Sequence, residues 1–163
     1  MIEIKLCGLK EPSHIKVAFN LGVKYLGFVF FEKSPRFLRN DTAKSLISLT
    51  PPGIMKVGLV VNPSDECLHS ISSLNLDMLQ LHGSESIDRV KEIKSKFNFS
   101  LIKAIGIKEK KDLDLVESYS EVADHLLIDA KPSSNNSLPG GNGIKFDWTI
   151  LEKNGMRKFS YSL

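Results

Sequence analysis

The chain has 163 residues, 42% hydrophobic and 25% charged, which is enough for one globular domain with a real core and too little for two comfortable ones. Its formal net charge of +3, without a Lys/Arg block interleaved with aromatics, argues against a nucleic-acid binder and suits an anionic small molecule. Cys7 and Cys67 stand far apart with no CxxC and no His-rich partner motif, which argues against a disulfide scaffold or a zinc site.

From the first residue, Met1-Ile2-Glu3-Ile4-Lys5 shows no signal-peptide pattern, and no window approaches the roughly 18 apolar residues of a membrane span. A cytoplasmic protein with no membrane partner is the expectation. Short apolar runs predict strands at Ile2–Leu6, Tyr25–Phe31, Lys56–Val61, Asp77–Leu81, Leu101–Ile105 and His125–Ile128. The near-continuous run Leu26-Gly27-Phe28-Val29-Phe30 suits a strand buried on both faces. Between the runs the period turns helical. Ile15, Ala18 and Phe19 follow Pro12, and Ala43, Leu46 and Ile47 repeat their spacing. Leu68, Ile71 and Leu74 follow a start at Pro63-Ser64; Val90, Ile93 and Phe97 mark a fourth helix; Leu113 and Val116 a fifth; Phe146–Leu151 opens a sixth. The mixed-sign stretch Lys108–Asp112 reads as a solvated helix start.

Strand and helix thus alternate without a convincing antiparallel hairpin, which predicts an all-parallel sheet. An open doubly wound sheet and a (β/α)8 barrel both fit that pattern. The longest connection, Asp129 to Lys145, is rich in Ser, Asn, Pro and Gly and suits an active-site loop.

Polar clusters follow the apolar runs, and reactive residues just past successive strand ends are how a parallel α/β fold gathers a site at one face. Cys7 ends the first strand; it is either a small buried hydrophobe or, with Lys5 two residues earlier on the same face, a general base or nucleophile. Asp129 closes the sixth strand as a loop cap or a general acid. Arg36, stiffened in place by Ser34-Pro35, is a surface arginine or a bidentate holder of a carboxylate. His82, between Gln80-Leu81 and Gly83, is a capping or core histidine, or a site residue. Gly140-Gly141-Asn142-Gly143 would let backbone N–H groups approach an anion, or form a lid, and matches neither the dinucleotide fingerprint nor the phosphate loop.

Taken together, Lys5-Leu6-Cys7-Gly8, Gly27–Phe30, Ser34-Pro35-Arg36, Val57–Asn62, Leu79–Gly83, Leu127-Ile128-Asp129 and Gly140–Gly143 running to Trp148 resemble phosphoribosylanthranilate isomerase, in family order. The resemblance implies an α/β fold of the parallel (β/α)8 TIM-barrel type, here incomplete, with about six βα units and at most a remnant seventh strand at Phe159–Leu163. It also implies an Amadori rearrangement of N-(5-phosphoribosyl)anthranilate to 1-(2-carboxyphenylamino)-1-deoxyribulose 5-phosphate in tryptophan biosynthesis, without metal or cofactor. Asp129 is then the general acid at the furanose oxygen and Cys7 the general base at C2′. Arg36 holds the anthranilate carboxylate, and Lys5, Gln80, His82, Gly140 and Gly141 are further substrate contacts.

Asn142 stands where the family usually has Thr, and the family's later Gly-Gly-Leu and Ser-Gly-Val-Glu motifs are absent past Leu151. The expectation is a single domain over residues 1–163 that lacks the last strands and their phosphate-binding loops, with open barrel edges that favour self-association. A noncatalytic remnant is the second reading. A different phosphosugar barrel enzyme is the third, and the Cys7/Asp129 pair speaks against it.

Overall fold

The computed structural model describes residues 2–131, 149–153 and 161–162, and the chain divides into two compact units, Met1–Gln80 and Leu81–Leu163. The first unit contains β1 (Lys5–Cys7), α1 (Pro12–Asn20), β2 (Tyr25–Val29), α2 (Asn40–Ser48), β3 (Met55–Val60) and α3 (Asp65–Ser72). It closes with β4 (Met78–Leu81), whose last residue belongs to the second unit. These strands neighbour one another in sequence order. β1 and β2 run parallel with Cys7 opposite Gly27, and β2 and β3 run parallel with Gly27 opposite Val57. A doubly wound sheet reverses its strand order at a switch point, whereas unbroken sequence order with a helix in each crossover is the barrel arrangement.

β2 is buried from Leu26 to Val29, as its unbroken apolar run predicts. The helices bury the stripes read from the sequence: Ile15 and Ala18; Ala43, Leu46 and Ile47; Leu68 and Ile71. Pro12 sits in the first turn of α1, where its missing N–H costs no helical bond. Ser64 caps α3 by accepting the Cys67 N–H at 3.2 Å. Phe19 departs from expectation and is 52% exposed. It lies one residue past Ala18, about 100° round the helix, and falls outside the narrow stripe that α1 buries. Asp77, expected inside β4, instead precedes it. Its carboxylate accepts the Lys56 N–H at 2.7 Å and pairs with the Lys56 ammonium at 2.7 Å, so it fastens the entry of β3.

The second unit continues with α4 (Ile87–Lys96), β5 (Ser100–Ile107), a short 3-10 turn (Lys110–Asp112), α5 (Leu113–Ser120), β6 (His125–Ala130), α6 (Thr149–Lys153) and β7 (Tyr161–Ser162). β5 pairs parallel with β6, Gly106 opposite Asp129, and β6 pairs parallel with β7. Ile105, Ile107, Val116, Leu126, Ile128 and Leu151 form one buried cluster between these strands and α5 and α6. Ser86 caps α4 by accepting the Arg89 N–H at 3.2 Å, and Lys94 and Lys96 sit in its last turn, where the helix dipole favours cations. β5 and β6 both run two residues further than the apolar runs indicate, because their ladder continues to Ile107 opposite Ala130; Asp129 therefore lies inside β6. β7 falls within the segment expected to hold a remnant strand. Among the described residues no helix is long and apolar enough to cross a membrane.

Candidate active site

In the first unit the site is built where β1 ends. Lys5 and Cys7 project to one face of the strand and Leu6 to the other. The N–H groups of Gly8 and Leu9 both donate to the Gly27 carbonyl, at 2.8 and 3.2 Å, and turn the chain at once after the cysteine. Gly27 faces Cys7 across the ladder, and a Cβ there would lie 2.8 Å from the thiol sulfur. Glycine at position 27 therefore leaves the space the thiol occupies.

Arg36 arrives from the loop after β2. Ser34 builds that loop: its N–H donates to the Phe31 carbonyl at 2.9 Å, its hydroxyl accepts the Arg36 N–H at 3.1 Å, and its carbonyl accepts the Phe37 N–H at 3.0 Å. The Lys10 ammonium donates to the Pro35 carbonyl at 3.1 Å, and the Leu38 N–H returns to the Val29 carbonyl at 2.9 Å. So held, the guanidinium donates from Nη1 to the Cys7 carbonyl at 3.0 Å and lies across Gly8, whose φ is +84°. A guanidinium has five N–H donors, so one bond to Cys7 leaves a fork able to take a carboxylate. Gln80 sits on β4 and is buried.

In the second unit, His82 follows β4 and brings Nε2 to 3.3 Å from Asp129 Oδ2. The His82 and Asp129 side chains are 13% and 32% exposed, so the carboxyl is reachable from solvent. The other oxygen, Oδ1, accepts the Ala130 N–H at 2.8 Å. An imidazole and a carboxyl at this separation can share or pass a proton. Gly140 and Gly141, and the Gly-rich connection from Pro132 onward, lie outside the described residues.

Three charged residues escape the reading of the sequence. Lys103 and Glu85 form an ion pair at 2.8 Å with side chains only 3% and 1% exposed. The signal was there: a lysine in the otherwise apolar run of β5 needs a buried partner. Asp112 is buried, where the sequence suggested a solvated helix start. Burial raises its pKa, but the Lys131 ammonium at 2.7 Å and the N–H groups of Lys108 and Glu109, both at 2.9 Å, outweigh that and hold it at about 2. The Tyr119 hydroxyl is pushed up by burial and by the Glu85 charge, and it donates to the Glu85 carbonyl at 2.7 Å.

Parallel βα units in sequence order, with ionisable side chains at strand ends, define a (β/α)-barrel-type enzyme. The family model for N-(5'-phosphoribosyl)anthranilate (PRA) isomerase matches residues 4–161, and the chain belongs to that family. It is 46% identical over 151 residues to the N-(5'-phosphoribosyl)anthranilate isomerase of Paracoccus denitrificans, covering 92% of this chain and 70% of that protein. The isomerase of Ruegeria sp. (strain TM1040) gives the same identity and coverage. Among solved structures, the phosphoribosyl anthranilate isomerase of Thermotoga maritima aligns with a TM-score of 0.85 and 28% identity, covering 99% of this chain and 77% of that one. A phosphoribosyl anthranilate isomerase in complex with reduced 1-(o-carboxyphenylamino)-1-deoxyribulose 5-phosphate aligns with a TM-score of 0.81 and 26% identity, covering 99% and 74%.

Proposed function

We infer that this chain isomerises N-(5'-phosphoribosyl)anthranilate to 1-(2-carboxyphenylamino)-1-deoxyribulose 5-phosphate, an Amadori rearrangement in tryptophan biosynthesis. The carrying observation is the family match over residues 4–161, which includes Cys7 at the end of β1, Arg36 in the loop after β2 and Asp129 one residue before the end of β6. It favours the isomerase over a noncatalytic remnant.

The reaction needs one acid and one base. Asp129 donates a proton to the furanose oxygen; the C1′–O bond breaks as the anilino nitrogen's lone pair forms a C1′=N Schiff base. The Cys7 thiolate removes the C2′ proton, and that electron pair gives the C1′=C2′ enol-amine. Loss of the 2′-hydroxyl proton and protonation at C1′ yield the ketose. Arg36 holds the anthranilate carboxylate through the N–H groups not given to Cys7. His82 orients the Asp129 carboxyl, and Lys5, Gln80, Gly140 and Gly141 contribute polar contacts to the substrate.

The test is the loss of phosphoribosylanthranilate fluorescence on adding purified chain, against Cys7→Ala and Asp129→Asn. Each substitution is expected to lower kcat about 10²- to 10⁴-fold, the usual range for a positioned acid or base. Unchanged turnover in Cys7→Ala would remove the thiol as base, and an inactive but folded parent chain would restore the remnant reading.

A further inference from the structure

We propose that the buried Lys103–Glu85 ion pair is a positioning device that fixes His82 against Asp129; the proposal rests on the reading of Asp129 as the acid. The Lys103 ammonium donates to Glu85 Oε2 at 2.8 Å, to the Gly83 carbonyl at 2.8 Å and, more weakly, to the Leu81 carbonyl at 3.4 Å. An ammonium has three protons, and all three are directed here. The two carbonyls belong to the residues on either side of His82. Glu85 completes the arrangement by accepting the Gly83 N–H through both carboxylate oxygens, at 3.0 and 3.1 Å. The Tyr119 hydroxyl anchors the Glu85 carbonyl at 2.7 Å, and the Tyr119 ring centre lies 5.4 Å from the ammonium.

Stability alone does not account for such a pair. Desolvating two charges costs several kcal/mol per ion, and apolar side chains of the same volume often serve a core as well or better. What the pair supplies and apolar residues cannot is a set of directional bonds to the peptide groups flanking one imidazole. That imidazole lies 3.3 Å from Asp129 Oδ2. Proton transfer depends on such separations, and a shift near 1 Å costs on the order of 100-fold in rate. Without the pair, the turn after β4 is free to slide along β5 and carry His82 away from the acid. Lys103 and Glu85 touch neither substrate nor reacting atoms in this account; they act through His82.

The experiment uses the full chain with Lys103→Met, Glu85→Gln and the double variant Lys103→Met/Glu85→Gln, which removes both charges of the pair. Each folded variant is expected to lose about 10- to 100-fold in kcat, with KM within about twofold of the parent. Lys103→Met is expected to add nothing in a His82→Ala background. The His82 imidazole resonances should respond to Asp129→Asn in the parent and cease to respond in the pair variants. A folded double variant with parental kcat, the same loss with and without His82, or His82 resonances that still respond to Asp129→Asn would overturn the proposal. Failure of all three variants to fold would assign the pair to stability and overturn it equally. The resonance measurement involves no turnover, so an error in the acid assignment, shown by an active Asp129→Asn enzyme, is distinguishable from an error about the pair.

Discussion

Replacing Gly8 with alanine separates a backbone effect from a site effect, because the structure contains a matched control. Gly8 has φ +84° and Gly53 has φ +88°, so a Cβ strains the backbone at both, by about 1–2 kcal/mol. A Cβ at Gly53 meets nothing within 4 Å, whereas at Gly8 it would lie 2.4 Å from Arg36 Cδ and 3.0 Å from Nε and Nη1. Ordinary contact begins at 3.4 Å, so the arginine must retreat by about 1 Å. It then loses its bond to the Cys7 carbonyl and, on the proposed function, its aim at the anthranilate carboxylate. A hydrogen bond to a charged group contributes about 1.5–3 kcal/mol, or roughly 10- to 150-fold in kcat/KM, mostly through KM. Urea melts and steady-state kinetics on both variants make the comparison. Gly53→Ala should be less stable and fully active; Gly8→Ala should be at least as destabilised and impaired in kcat/KM, with no further loss when Arg36→Ala is added. Equal kcat/KM in Gly8→Ala and Gly53→Ala would refute the claim that Gly8 exists to admit the arginine.

Gly27→Ala should lower kcat by on the order of 100-fold, with a stability loss of about 1–3 kcal/mol, because the new methyl sits 2.8 Å from the Cys7 sulfur and 3.0 Å from its Cα; parental kcat measured at saturating substrate would contradict this. Asp112 predicts a pH dependence. Its folded pKa of about 2 lies below the ordinary value of 3.8, so its contribution is fully present above pH 3.8 and is lost as pH falls through that value towards 2. The shift corresponds to about 2 kcal/mol. Asp112→Asn should therefore cost about that much at pH 7 in urea unfolding, and the gap to the parent should narrow near pH 3; a gap independent of pH would show that the carboxylate charge is not the source.

The alternation of strand and helix was legible because apolar period is a local property. Every predicted strand has a counterpart, and the helical stripes Ala43–Leu46–Ile47 and Val90–Ile93 are buried as read. What could not be read depends on partners distant in sequence. Nothing local distinguishes Asp77 as a strand residue from Asp77 as a clamp on Lys56, and β5 reaches Ile107 because β6 pairs with it that far. Among the candidate residues, Arg36 was legible from Ser34-Pro35, since a serine hydroxyl before a proline makes a turn that aims the next side chain. His82 and Asp129 were singled out independently, and 46 residues of intervening chain hide their 3.3 Å contact from any local pattern. Asp112 was misread because its flanking residues are exposed lysines and a glutamate, whereas its carboxylate is held by the N–H groups of Lys108 and Glu109 and by Lys131, just past the end of β6.

One regularity joins the two halves of the proposed chemistry. Cys7 faces Gly27 across the β1–β2 ladder, and Asp129 faces Gly106 across the β5–β6 ladder. Glycine inside a strand costs about 0.5–1 kcal/mol relative to alanine and often marks a close approach. The approaches here differ. At Gly27 the crowded atoms belong to the cysteine itself, so the glycine gives the thiol its position. At Gly106 the nearest atoms, from 3.3 Å, belong to Lys131, two residues beyond Asp129. That glycine clears the exit of β6, where Lys131 swings over to meet Asp112 and its N–H donates to the Ile107 carbonyl at 3.1 Å. The proposed base, Cys7, is thus located by a gap beside its own side chain, and the proposed acid, Asp129, by the anchoring of the chain that follows it. A substitution at Gly27 should therefore act on the reacting atom directly, whereas one at Gly106 should act through the Lys131–Asp112 tie and carry that pair's sensitivity to low pH.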